Sequence, residues 1–359
     1  MRDVEVPLAN LQRMLCYAWA RAPKAPEIDA SDGAFDSAED LFASIVVAET
    51  RDLIRRGVGR TYVAEHDELR APRGRIDLEA TMKRQLRIRG RVACSFDELT
   101  IDTNANRVVR ATIETLGRVA RDPKLRDALR RLGHELVGVA SVPLTMRLFG
   151  EIVRTPGERH YGFLLRVCKL VARRTLAGDA NPKSKQRFRD PRKSKSEMGL
   201  VFEDFVRAFI ARELPDHRVL GERRLDWALV PSTPAAASVV PAMLTDIRVR
   251  TPSGDLLIET KYVREALVPR RQGGGRSVRS SHLYQLHAYV SHLVATSAPL
   301  RRAILLCGSP GQSFRHSYHL GAIETDVIAV DLAQPWLSVL AAVRNAVVAT
   351  DQAAPAFLA

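Results

Sequence analysis

A mixed α/β fold is what this sequence predicts, on three observations: a hairpin of two apolar runs late in the chain, a middle of helix-period segments, and two strand-like runs before a closing helix. The hairpin is TDIRVRTPSGDLLIETKYV, Thr245 to Val263. Its first run alternates, turns at Pro252, Ser253 and Gly254, and resumes as a second apolar run carrying Glu259 and Lys261. With Arg250 opposite Asp255, an uninterrupted antiparallel register places Asp246 opposite Glu259. Lys261 shares the Glu259 face, because strand side chains repeat every second residue.

Two carboxylates and an ammonium converging on one end of a sheet have a chemical use. The acids can hold a divalent cation against a phosphate, and the ammonium can stabilise charge or orient an attacking water. The other face of the strand offers Ile258, Thr260 and Tyr262 for packing, so desolvated carboxylates opposite it need a cation or other partners. The alternative is a solvated hairpin with Lys261 paired to an acid.

The chain has 359 residues, 46% hydrophobic and 27% charged, enough for two or three domains, and a formal net charge of +14. That field favours nucleic acid over an acidic small molecule as partner. Cys16, Cys94, Cys168 and Cys307 lie far apart without metal-ligand spacing, which argues for reduced thiols and a cytoplasmic protein.

In chain order, Leu8, Leu11, Met14, Leu15 and Ala18 recur at helix intervals, with Arg13 and Arg21 interrupting any membrane-like run. This predicts an amphipathic helix packed within the first domain, not a signal or membrane segment. After the turn-rich stretch from Pro23 to Ser37, Leu41 to Ile54 reads as a second helix. A turn at Pro72, Arg73 and Gly74 follows an alternating run, and Leu99 and Ile101 suggest an edge segment before a helix carrying Val108, Val109, Ile113 and Leu116. Asp97, Glu98, Asp102, Asn104 and Asn106 resemble metal ligands by type only. They lack a calcium-loop pattern, so a structural loop and helix cap is the expectation.

Helices are predicted over Pro123 to Val139 and Arg159 to Ala177. The next segment carries seven basic residues, Lys183, Lys185, Arg187, Arg189, Arg192, Lys193 and Lys195, against one acid, Asp190. An exposed linker and a phosphate-contacting surface both fit it. MGLVFEDFVRAFIARELP is an amphipathic helix ending before Pro215. Its Glu203 and Arg207, four apart, form a salt-bridge candidate, with entry of Glu203 into a metal site as the alternative.

RRLDWALVP supplies a strand before the hairpin. Beyond the hairpin, a glycine-rich loop lacks the complete phosphate-loop pattern, and Arg264, Arg270, Arg271, Arg276 and Arg279 can bracket a DNA backbone. HLYQLHAYVSHLV forms a helix whose Gln285 is the best placed to reach the site. AILLCG and TDVIAVDL read as strands and WLSVLAAVRNAVVA as the closing helix.

From VPLANLQRMLCYAW through GRID, FDELTIDTNANRVVRATI and TDIRVR to IETKYV and LYQLHAYV, the chain resembles the McrC family, the nuclease component of McrBC 5-methylcytosine restriction systems. The resemblance implies a mixed N-terminal partner-binding region over 1–177, a basic connecting segment over 178–199 and a PD-(D/E)xK nuclease domain over 200–359. It implies catalytic roles for Asp246, Glu259, Lys261 and Gln285, with Mg2+ held by Asp246 and Glu259. It further implies an McrB-like AAA+ GTPase partner that binds the GTP, and double-stranded DNA containing modified cytosine as substrate. A catalytically inactive DNA-tethering or GTPase-activating subunit is the competing function.

Overall fold

The computed structural model describes residues 4–19, 35–152, 160–176, 188–221, 224–225, 227, 239–270, 274–296 and 299–348. It is mixed α/β, and it divides into one compact unit of residues 36–189 and another formed by residues 1–35 together with 190–359. The division at 189/190 falls within the connecting segment expected over 178–199, and the first helix groups with the second of these units. Periodicity shows that a helix has an apolar face but not which element covers it.

That helix is α1 (Leu8–Trp19), with Leu11, Met14 and Leu15 fully buried. The 36–189 unit follows it. Ser37 caps α2 (Ala38–Arg56) by accepting from the Asp40 amide, and Gly57 ends it at φ +92°, where a side chain would be strained. β1 (Thr61–Leu69), β2 (Arg75–Asp77), the short α3 (Leu78–Lys83) and β3 (Val92–Thr100) come next. Both ladders are antiparallel and β3 is the central strand, but β2 reaches only Ala93–Ser95, so the part of β3 around Leu99 pairs with β1 alone and is an edge, as expected. β1 is exposed at consecutive positions from Thr61 to Asp67, so both of its faces are solvated there.

Four helices make the core of this unit: α2, α4 (Asn104–Val119), α5 (Pro123–Glu135) and, after the short α6 (Met146–Gly150), α7 (Gly162–Leu176). Phe42, Val108, Ile113, Leu129 and Val167 lie fully or almost fully buried among them. The acidic and amide cluster is structural. Thr103 caps α4, Arg107 clasps Asp102 through two nitrogens at 2.8 and 2.6 Å, and Asn106 donates to the carbonyls of Gly59 and Ile101.

The other unit resumes with α8 (Lys195–Glu213), capped by Ser194, then the short strands β4 (Arg218–Val219), β5 (Arg224–Leu225) and β6 (Met243–Leu244). Of the strand expected in RRLDWALVP only Arg224–Leu225 is seen, and much of the remainder lies outside the described residues. β7 (Ile247–Thr251) and β8 (Gly254–Tyr262) form the hairpin, followed by the two-residue pair β9 (Val268–Pro269) and β10 (Arg276–Ser277), then α9 (Ser280–Ala295). β11 (Leu300–Ser309), β12 (Phe314–Leu320), β13 (Ile323–Asp331) and α10 (Trp336–Val348) complete it. β12 was not anticipated. Its residues alternate but are mostly polar, as suits an edge strand.

The hairpin strands β8 and β7 are the fourth and fifth of a six-stranded sheet ordered β12-β13-β11-β8-β7-β4. β8, β11 and β13 run parallel, and β7, β4 and β12 are antiparallel to their neighbours. A central strand is covered on both faces, which is why β8 is buried almost throughout, its Asp255, Glu259 and Thr260 included. α9 covers the face of Leu257, Ala303 and Leu305 through Leu286, Val290 and Leu293. α8 lies against the opposite face, where a Cβ on Gly308 would stand 3.0 Å from Phe202. α1 closes over α8: Tyr17 donates to Glu213, Trp19 donates to Asp204, and the Tyr17 ring meets Phe205 edge-on with centroids 5.7 Å apart.

Candidate active site

The hairpin register is the expected one, with Arg250 opposite Asp255 and Ile247 opposite Ile258. The ladder stops there. Asp246 sits in a bend just before β7, one step beyond the last paired residue. Its carboxylate turns to β8, and its Oδ2 accepts from the Thr260 amide at 2.8 Å and the Thr260 hydroxyl at 3.0 Å. Thr260, anticipated only as packing, thus holds the first acid in place. Because Oδ2 is engaged twice, the other oxygen of Asp246 is the one left to a ligand.

Glu259 and Lys261 share a face, as strand alternation requires. Glu259 is 0% exposed, and its Oε1 accepts from the Lys261 ammonium at 2.6 Å. Its Oε2 is buried with no hydrogen-bond partner. Burial first, then the neighbouring charge of Asp246, push the Glu259 carboxyl up to about 7 against the pull of Lys261. Lys261 moves up as well: burial lowers it, but the charges of Glu259 and Asp246 outweigh that and keep it an ammonium.

The flanking helices add four groups. Glu203, on α8, accepts from Arg207 at 3.0 Å, the pairing expected from their spacing, and its charge also acts on Glu259. Arg207 reaches further and donates to the main-chain carbonyl of Asp246. On α9, Gln285 donates to the Tyr289 hydroxyl at 3.0 Å, and Tyr289 donates to the Leu244 carbonyl at 2.7 Å. Gln285 therefore bears on the site through Tyr289. Arg207 and Tyr289 were missed as site residues; their i,i+4 relation to Glu203 and Gln285 was the available signal.

Among the described residues, no three His, Cys, Asp or Glu side chains come together as a metal-ligand cluster. The donor set still suits Mg2+, which is commonly held by one or two carboxylates with the remaining positions filled by water and substrate phosphate oxygens. A buried carboxylate oxygen without a donor, beside a second carboxylate, is a place where a cation removes an electrostatic penalty.

The basic residues fare unevenly. Lys183, Lys185, Arg187 and Arg271 lie outside the described residues. Arg192 is occupied structurally: it clasps Asp190, pairs with Glu5 at 3.3 Å and donates to the Val6 carbonyl. Arg189, Lys193 and Lys195 are exposed, as are Arg264, Arg270, Arg276 and Arg279. Arg276 pairs with Glu265 at 2.7 Å. Lys261, Arg279 and Lys195 all act on the half-buried His282 at the start of α9; burial first, then these cations, hold its imidazole below the usual range. Lys195 and Arg279 thus carry positive charge towards the Lys261 side of the site.

These features define a mixed α/β protein whose central parallel strand presents a buried acid and a lysine beside a second acid. The chain belongs to the family of McrBC 5-methylcytosine restriction system components, whose model matches residues 7–300. It is 26% identical over 339 residues to the type IV methyl-directed restriction enzyme EcoKMcrBC of Escherichia coli (strain K12), covering 94% of this chain and 95% of that protein. Its fold is similar to a chain in the half-complex from a tetradecameric assembly of Thermococcus gammatolerans McrB AAA+ hexamers with bound McrC. That match has a TM-score of 0.56 and 17% identity over 94% of this chain and 75% of the other. No helix among the described residues is long and apolar enough to cross a membrane.

Proposed function

We propose that this chain is an McrC-like endonuclease subunit with a PD-(D/E)xK site, which engages an McrB-like AAA+ GTPase and cleaves double-stranded DNA containing modified cytosine by Mg2+-dependent phosphodiester hydrolysis. The observation that carries the reading is the unpartnered, fully buried Oε2 of Glu259 beside Asp246 and Lys261. A structural ion pair needs no second acid and no orphaned oxygen.

In this reading Asp246 and Glu259 hold the cation, which when bound supplies charge neutralisation at the phosphate and a more acidic water. Thr260 holds Oδ2 of Asp246. In the hydrolysis a water oxygen bonds to phosphorus, one ester P–O bond breaks, and the leaving oxygen takes a proton. Lys261, held in its ammonium form, stabilises the charge that builds on the phosphoryl oxygens and orients the water; an ammonium is not a base for it. The exposed arginines Arg264, Arg270, Arg276 and Arg279 position the backbone, and residues 36–189 fall to the partner-binding role, with GTP bound by the partner.

Reconstitution tests the division of labour. This chain alone, an McrB-like partner alone and the mixture are compared with Mg2+, with and without GTP, on modified and unmodified DNA. Only the mixture with GTP should produce DNA ends, and Asp246→Asn should remove them. Stimulated GTP hydrolysis without DNA ends would instead establish an inactive, GTPase-activating assembly subunit. Efficient cutting by this chain alone would refute partner dependence.

A further inference from the structure

We infer that Arg207 is a positioning residue of this site: its bridge between the Glu203 carboxylate and the main-chain carbonyl of Asp246 sets where the Asp246 carboxylate stands relative to Glu259. The inference deepens the cation-holding reading of Asp246 and Glu259 and rests on it.

Asp246 needs such a restraint because of where it falls in the chain. β6 ends at Leu244 and β7 begins at Ile247, so Thr245 and Asp246 cross from one sheet to another outside any ladder. A residue in a bend with no ladder bonds is free to rotate about its backbone, and a rotation that moves a carboxylate by an ångström is enough to spoil a ligand set. Three side chains from three elements remove that freedom. Tyr289 from α9 fixes the Leu244 carbonyl, Thr260 from β8 fixes Oδ2 of Asp246, and Arg207 from α8 fixes the Asp246 carbonyl itself.

The arginine is itself held. Glu203 lies one helical turn before it and accepts from the same terminal nitrogen at 3.0 Å, so the guanidinium does not wander. Glu203 and Arg207 are both mostly buried, with side-chain exposures of 12% and 23%, which limits screening by water. The pairing has an electrostatic side too. The Glu203 charge acts on Glu259, and Glu203 is itself paired with the Arg207 guanidinium. Loss of Arg207 would therefore release the Asp246 backbone and leave the Glu203 carboxylate without this partner. Neither residue is asked to touch substrate.

Outer residues that orient metal-holding carboxylates typically contribute about 10–100-fold to metal affinity. The test is Mn2+ binding to the full chain, followed by electron paramagnetic resonance without DNA or partner, with thermal unfolding measured in parallel. Arg207→Met should fold and bind Mn2+ about 10–100-fold more weakly, while Arg207→Lys, which keeps the charge, should recover part of the loss. Native Mn2+ affinity in folded Arg207→Met, with or without a lowered Tm, overturns the inference. Should that variant fail to fold, Arg207→Gln carries the same prediction and the same refutation. Asp246→Asn separates the two levels: if it abolishes Mn2+ binding while Arg207 variants bind normally, only the arginine's role falls. If Asp246→Asn also binds normally, the acid pair itself is wrong.

Discussion

Asp102 in the 36–189 unit and Glu259 in the large sheet are both carboxylates beside a cation, yet they titrate in opposite directions. Asp102 receives two nitrogens of Arg107 and the Ala140 amide, and the Arg107 bonds above all hold it below its ordinary value. Glu259 receives one donor on one oxygen, is buried, faces the charge of Asp246, and is pushed up to about 7. The difference is one of satisfaction: the first acid has used its hydrogen-bonding capacity to tie down the start of a helix, whereas the second retains capacity that the fold does not fill.

The sharpest way to break the contrast is to remove ligand charge. Asp246→Asn or Glu259→Gln should lower Mg2+-supported cleavage by the reconstituted complex by the order of 10³-fold while assembly is kept. Lys261→Ala should lose about 10²–10³-fold. Single-turnover cleavage at saturating Mg2+ measures all three; native rates in the acid variants would return Glu259 to a structural role like that of Asp102.

Acid–base behaviour of the metal-free chain sharpens it further. Glu259 holds its proton more tightly when folded than its ordinary value of 4.5, so its contribution to stability is present below that pH and is lost as pH rises to about 7. Asp102 behaves oppositely: its contribution is present above its ordinary value of 3.8 and is lost as pH falls through its lowered folded value. Urea unfolding across pH should show Glu259→Gln gaining of the order of 1–3 kcal/mol at about pH 8, with the decline between pH 4.5 and 7 flattened. Asp102→Asn should instead cost about 1–2 kcal/mol at neutral pH and flatten the acid limb. A flattened neutral limb in Asp102→Asn, or none in Glu259→Gln, would contradict the contrast.

The smallest effects belong to the surface arginines. Changing Arg264, Arg270, Arg276 and Arg279 to Gln should weaken modified and unmodified DNA alike and reduce the log–log salt slope by about 0.9 for each phosphate no longer neutralised. Lys193 and Lys195 should be changed separately from them. A loss confined to modified DNA would show base reading rather than backbone positioning.

Much of this site could be read before any coordinates, because it depends on local rules. A turn at Pro252 to Gly254 and period-two alternation are enough to pair Arg250 with Asp255 and to put Glu259 and Lys261 on one face. Helical spacing likewise pairs Glu203 with Arg207, and mismatch to a calcium loop keeps Asp102 and Asn106 structural.

Near neighbours along the chain thus control the hairpin, the helix faces and the alternation that aligns an acid with a lysine, and the amino-acid order suffices for all three. Long-range packing alone settles that β11 runs parallel beside β8 and buries Glu259 completely, that α1 joins the unit of α8, and that Asp246 leaves the ladder to be held by Thr260 and Arg207. Those outcomes depend on which of several equally apolar surfaces meet across long stretches of chain, and an apolar face carries no label for its partner.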